Sequence, residues 1–458
     1  MKVNITHSLY NKFQPKWKQM RDTITGDIKL YPETYLPAPF PRDSEYNDRY
    51  TAYTTRARYY NMVGRTATVL HGLIFRKSPT IQLPEQLKYL VDNVDGNGTL
   101  LEQQAKIVGR EVVHVARAGL LVDYPLIDGH LTEDQKRREG IAAKIVYYTT
   151  ENIINWRRDE KNRLILVVLR EQCERPSSSL FEQNLGYQYR VLRLINGTYY
   201  QMVIDDQEQT VIEQFQVLDG NRQPFNYIPF YTVGAVENGI EPDEPVLLPL
   251  SDINIGHYRN SADYEEMASK MGQASLHVSG YSGESDTVYM GTRSAIPTEQ
   301  GGKVEIVQLS DNTFLERAME RKELQALQIG ARMVFQSGGQ EAVGVEQIKA
   351  SGDNAVMATI SENITDAYEK ALKDCGRFEG VPEPLLDEIG FDVNKEFLSI
   401  PLTLEQYKIY QGLMMDGLLT KETALNELKR RGIAEYVDVV AEIAAAGEQV
   451  GNMFGGEG

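Results

Sequence analysis

A chain of 458 residues, 41% hydrophobic and 25% charged, is too long for one compact core and too apolar to be disordered throughout, so two to four domains are expected. Its net charge of −17 argues against a dedicated basic reader of nucleic acid; acidic surface also suits a protein lying beside a polyanion that must not stick to it. Two cysteines, Cys173 and Cys375, fit a reducing compartment. No apolar run reaches the roughly 18 residues of a membrane span, and the N-terminus MKVNITHSLYNKF lacks an apolar signal core, so the expectation is a cytosolic chain or one assembled into a particle there.

In chain order, the first feature is YPETYLPAPFPRD, whose prolines exclude regular helix. Asn47 to about Phe75 reads as one helix rich in Tyr and Arg, ended by RKSP. Leu100 to about Arg117 reads as another. Thr99 and Glu102 have capping-box spacing, and Leu101, Ala105, Val108, Val112 and Val115 share one face. Gly119 offers a left-handed stop, and GLLVDYP reads as a buried strand ended by Pro125. From Ile141 to Ala235 the pattern is β: AAKIVYYTTENIINW, RLILVVLREQC, YQYRVLRLI and TYYQMVID are rich in β-branched and aromatic residues. Asn196-Gly197 is a two-residue hairpin signal.

Helix returns at Pro249 to Gly272, with Ser251 or Asp252 as cap. SLHVSGYSGESDTVYMGTRSAIPTEQGGKVEIVQLS then holds three strand-sized runs between Gly-rich turns. A second helix starts at the Thr313/Glu316 capping box and runs to about Gln336, with Leu324, Leu327, Ala331 and Val334 as its apolar face. A polar, Gly-rich stretch interrupts it before a third helix, Asp353 to Cys375. There Val356, Ile360, Ile364, Ala367 and Ala371 form the buried stripe, Asp366 and Lys370 pair outside, and Gly376 is the expected stop. The last 55 or so residues read as three short helices and a Gly-rich tail.

Catalytic signatures are missing. Gly339-x-x-x-x-Gly344 has the spacing of a phosphate loop, but Val345 and Glu346 follow where Lys and Ser/Thr are required. The six histidines have no zinc spacing, no G-x-S-x-G occurs, and His257 reads as a packed side chain rather than a ligand. Glu265-Glu266 and Asp205-Asp206 are neighbours that point apart and read as solvated charges. No cofactor, metal site or active site is expected.

The order helix, small β module, helix, polar loop, helix suggests two staves of a tube wall in a cyclic oligomer, each roughly 35 Å long. The chain also resembles the portal proteins of tailed bacteriophages. The matching phrases are RARYYNMVGRTATVLHGLIFRKSP, ARAGLLVDYP, YYTTENIINWRRD, VVLRE, YRVLRL, YIPFY, LSDINIGHYRNSADYE and GLLTKETALNELKRRG, spread over about residues 45 to 433.

That resemblance implies an α+β, multi-domain subunit of a ring, typically of twelve copies, that conducts double-stranded DNA at one capsid vertex during packaging and ejection. Residues 1–248 would form the N-terminal region and wing, 249–272 and 312–336 the stem helices, and 273–311 the clip. Residues 337–352 would be the tunnel loop, 353–401 a helix and segment returning to the wing, and 402–458 a short helical crown and tail. A C-terminal barrel is not expected. Gly338, Gly339, Gln340, Glu341, Gln347 and Lys349 would face DNA, giving weak contact without strong positive charge. Glu284, Asp286, Tyr289 and Arg293 would lie on the clip, facing the terminase large subunit and then the head–tail adaptor. Major capsid and scaffolding proteins are further implied partners; a membrane is not. The implied location is the virion, after assembly in host cytoplasm. Two other readings stand beside it: a cytosolic oligomeric enzyme with a site near Asp123 and Tyr124, and a capsid-associated adaptor without a DNA channel.

Overall fold

The computed structural model describes residues 2–125, 141–175, 181, 183–271, 275–283, 296–307, 313–334 and 343–395, the backbone alone at 275, 307, 330–334 and 343–355. The expected C-terminal helices at 402–458 lie outside them.

Helix α1 (Ser8–Thr25) buries Tyr10, Phe13, Trp17 and Met20, spaced 3, 4, 3 on one face. Pro15 sits exposed within it. Gly26 ends it in the left-handed region at φ 86°, donating its N–H to Asp22 O. The proline-rich stretch holds a single helical turn, α2 (Pro32–Tyr35), opened by its proline.

The helix expected from Asn47 to Phe75 is two, α3 (Tyr46–Arg56) and α4 (Met62–Ile74). Neither Gly nor Pro marks the break at 57–61; it is held open by tertiary hydrogen bonds described below. After strand β1 (Thr80–Gln82) and the one-turn α5 (Tyr89–Asp92) comes α6 (Leu101–Val115). Its five predicted apolar residues are all fully buried. Its capping box is not formed: Leu100 holds the cap position, Thr99 Oγ1 donates to Asp95 Oδ2 at 2.7 Å, and Glu102 pairs with Lys106. Ala116, not Gly119, takes the left-handed stop at φ 60°. Gly119 instead sits inside β2 (Arg117–Asp123), opposite Tyr148 and Thr232, where a Cβ would lie 2.6 Å from Phe230 Cζ.

Strand β2 is buried along its whole length because it is the middle of an antiparallel sheet, between β3 (Lys144–Thr149) and β9 (Phe230–Gly234). A second antiparallel sheet runs in sequence order through β4 (Ile153–Arg158), β5 (Leu164–Arg175), β6 (Asn184–Ile195), β7 (Thr198–Asp205) and β8 (Val211–Gln216). Asn196 and Gly197, both at positive φ, make the predicted tight turn between β6 and β7, pairing Ile195 with Thr198.

Three long elements follow: α7 (Leu248–Met271), the antiparallel ribbon β10 (Ser275–Tyr281) and β11 (Thr298–Val307), and α8 (Phe314–Val334). Any third strand of the ribbon module would fall in 284–295, outside the described residues. Helix α9 (Val343–Phe378) starts ten residues earlier than expected, because Gly344 and Gly352 cost a helix only about 1 kcal/mol each and do not end it. Its predicted stripe is the buried one: Ile360, Ile364, Ala367 and Ala371 pack toward β2, β9 and α6, with Lys370 Nζ 2.7 Å from Asp366.

Helix α9 also runs past Gly376, where a Cβ would lie 2.3 Å from Leu386 Cδ2 on the one-turn α10 (Glu383–Leu386). Asp374 holds this end. Fully buried, it accepts from Tyr231 Oη at 2.6 Å, Arg377 Nη1 at 2.7 Å and Tyr227 Oη. Burial nonetheless leaves its carboxyl above the usual range. Strand β12 (Gly390–Asp392) closes the described chain by pairing with β1. The fold is α+β: the described strands form four antiparallel sheets, two of them two-stranded, and α9 packs against the three-stranded one.

Candidate functional site

The two helices flanking the ribbon are the feature on which the sequence reading turned. Helix α7 is unusual in burying polar side chains: Ser251, Asn254, His257 and Ser261 are each at most 5% exposed. A buried polar group must find partners, and these find them on segments far away in sequence. Asn254 donates to Tyr60 O at 2.8 Å and accepts from Met62 N, Val63 N and Tyr59 Oη at 3.0, 3.3 and 3.1 Å. Ser261 Oγ accepts from Arg58 N and donates to Arg58 O. Ser251 meets Thr23 and Gln19 of α1.

Ser251 and Asp252 therefore do not cap α7, which begins at Leu248. They bind it to α1, Asp252 accepting from Gln19 Nε2 at 2.7 Å. Farther along, Tyr53 Oη donates to Asp263 at 2.7 Å, Arg259 Nε donates to Tyr35 O at 2.8 Å, and Arg56 pairs with Glu266. An apolar cluster of Ile28, Tyr35, Leu36, Tyr53, Ile255 and Tyr258 backs these contacts. The N-terminal 60 residues thus clasp α7 along much of its length.

Helix α8 packs on α7 and α4. The Lys322 side chain crosses Gly256, where a Cβ would lie 2.9 Å from Lys322 Cε and would push that flexible chain aside. His257 Nε2 is 3.0 Å from Glu323 Oε1. His257 is thus packed against the facing helix, as its place in the sequence suggested. The apolar face expected of α8 is not its buried face: Leu324 and Leu327 are 56% and 64% exposed, whereas Leu315, Ala318, Met319, Lys322, Ala326 and Ile329 turn inward. On the ribbon, Val304 and Ile306 are also exposed.

Of the residues singled out for DNA contact, Gly338, Gly339, Gln340 and Glu341 lie outside the described residues. Gln347 and Lys349 stand on the helical backbone of α9, not on a loop. Glu284, Asp286, Tyr289 and Arg293 also lie outside the description. Sequence reasoning missed Asn254 and Ser261 as positioning residues. The available signal was small or polar residues at 251, 254 and 261, at helical spacing on one face.

The region around Asp123 and Tyr124 borders a polar cavity of about 570 Å³ lined by Tyr89, Lys144, Tyr148, Glu171 and Arg190, among others. Its charged groups are paired with one another. Glu171 accepts from Arg190 Nε at 2.6 Å, from Gln188 at 2.9 Å and from Tyr148; burial raises its carboxyl, but these hydrogen bonds outweigh that and hold it below the usual range. Asp123 accepts from Gln201 at 3.3 Å with Lys144 at 3.4 Å, and Tyr124 stacks on Phe378. Among the described residues, no group of three or more His, Cys, Asp or Glu side chains is placed to hold a metal ion. Among the same residues, no helix is long and apolar enough to cross a membrane.

Residues 246–378, from just before α7 to the end of α9, match a family described as a domain of unknown function, DUF4055. No curated protein matches the chain. Among solved structures, the chain is similar to one in the virion of the native gene transfer agent particle, at 10% identity over 89% of this chain and 98% of that one, with a TM-score of 0.40. A second similar chain, in the neck of the empty particle computed with C6 symmetry, has 11% identity over 87% and 95% and a TM-score of 0.41. A third, in the neck of the native particle computed with C12 symmetry, has 10% identity over 79% and 87% and a TM-score of 0.37.

Proposed function

We propose that this chain is the repeating subunit of a portal ring, set at one vertex of a tailed-phage-like capsid, through which double-stranded DNA is packaged and later leaves. One observation carries the reading. Two helices of 24 and 21 residues, about 36 and 32 Å long, pack on each other with an exposed two-stranded ribbon between them in sequence. The N-terminal segments clasp the first helix, while one face of the second, with two leucines, stays open. That division of roles suits a stave in a cylinder wall: fixed to its own subunit on one side, free for a neighbour on the other. The spread of matching phrases over about residues 45 to 433 supports the same reading.

In this proposal the ribbon and residues 284–295 dock the terminase large subunit and then the head–tail adaptor. Residues 337–342 approach the DNA, with Gln347 and Lys349 on the first turns of α9 behind them. Capsid and scaffolding proteins surround the ring. Sliding DNA needs weak contact, because each phosphate neutralised strengthens binding through counterion release; a net charge of −17 is in keeping with that need.

Native mass measurement with negative-stain imaging of the purified protein tests the proposal. An annulus of about twelve copies with a bore of roughly 20 Å, wide enough for duplex DNA, is the expected result. A compact dimer or tetramer, or a ring with no bore, overturns it.

A further inference from the structure

Helix α8 carries a charge arrangement that its own subunit leaves unanswered. Glu316 and Glu320 are exposed and four residues apart, as are Arg317 and Arg321. Like charges at that spacing disfavour an isolated helix, and although Arg317 and Glu320 are three residues apart, among the described residues none of the four forms an ion pair. At 3.6 residues per turn, the acidic row and the basic row lie about 100° apart around the helix. They fall on the two flanks of the arc that faces away from the buried side. Leu327 continues the acidic row and Leu324 lies between the rows, each more than half exposed.

We infer that this arc receives a second copy of the same chain, its α8 running parallel, so that Glu316 and Glu320 of one copy lie against Arg317 and Arg321 of the next. The charges select this occupant. In a parallel side-by-side contact, opposite flanks of two identical helices meet, acidic row against basic row, while the leucines leave water between them. Each row then gains at an interface what it lacks within one chain. The inference rests on the ring reading, which it deepens by naming the contact and its register.

Charge reversal with rescue tests it. E316R/E320R and R317E/R321E, each made alone in the full chain, should shift sedimentation from the assembled mass to the single-chain mass. E316R/E320R/R317E/R321E, which swaps both rows, should restore assembly. The wild-type assembly should also loosen as salt rises. Unchanged far-ultraviolet dichroism in every variant shows that the chain still folds. Assembly by the single-row variants at wild-type strength overturns the inference and leaves the ring reading standing, as does a folded four-site variant that stays monomeric. A wild-type protein that forms only a charge-dependent parallel dimer does the reverse, and a wild-type protein that never self-associates sinks both.

Discussion

Asn254, fully buried in the second turn of α7, donates a 2.8 Å hydrogen bond to the carbonyl of Tyr60, at the break between α3 and α4. Its Oδ1 accepts from the backbone on the other side of that break, at Met62. One side chain therefore satisfies both the end of an extended segment and the first turn of a helix. With the Asn61 cap on α4 and Ser261 on Arg58, it keeps α3 from running into α4.

Asn254→Ala should accordingly remove the bonds that Tyr60 O, Met62 N and Val63 N make to this side chain; Met62 N still donates to Tyr60 O at 2.9 Å, so the buried Val63 N–H is the group that loses its partner. The expected loss is about 1–3 kcal/mol, the cost of one unsatisfied buried group, read as a lower urea midpoint. A change under about 0.5 kcal/mol would mean that the break is held by other contacts.

Gly119→Ala should destabilise by about 1–3 kcal/mol through overpacking. The new methyl would meet Phe230 at 2.6 Å and Ile153 Cδ1 at 2.9 Å, both aimed into the middle strand of the three-stranded sheet. Pairing it with Phe230→Leu should recover part of the loss. Thermal unfolding of the single and double variants checks this, and strict additivity would rule out the proposed clash.

His114, near the end of α6, supplies the pH dependence. Burial, with Arg21 and Arg110 nearby, pushes its imidazole down to about 4 from an ordinary value near 6.5. The unfolded chain takes up this proton first. Stability is therefore full above about pH 6.5 and is lost as pH falls toward 4, by at most about 3 kcal/mol and less where solvent screens the ring. His114→Gln should flatten the fall in urea midpoint between pH 7 and pH 4.5. An unaltered slope would show that the imidazole does not report the buried environment.

On the proposed function, replacing Gln340 and Glu341 by lysine should turn a ring that slides on DNA into one that grips it. Each phosphate newly neutralised steepens the fall of log K with log salt by about 0.9. Filter binding of assembled rings to duplex DNA across a salt series measures this. No change in slope would place these two residues away from the bore.

Periodicity by itself determined much of this molecule. The stripe of α6 from Leu101 to Val115, the stripe of α9 from Ile360 to Ala371, the buried strand in GLLVDYP, which begins two residues earlier at Arg117, and the turn at Asn196-Gly197 were all legible. In each, the information is local: a repeat of 3.6, a run of apolar residues, two residues that tolerate positive φ. The pair of helices around a small β ribbon was legible for the same reason. The places where sequence reasoning went astray are those where distant groups compete with local preference. Thr99 has the chemistry of a cap but is bonded to Asp95; Gly119 can end a helix but is needed where Phe230 presses on a strand. Leu324 and Leu327 read as the apolar face of their helix and lie open. The break at 57–61 has one local mark, Asn61, which caps α4 by accepting from Gly64 N at 2.7 Å; its other hydrogen bonds come from Asn254 and Ser261 about 200 positions away. A tertiary partner worth a few kcal/mol outweighs local propensities worth a few tenths each, and no window of sequence contains both sides of that balance.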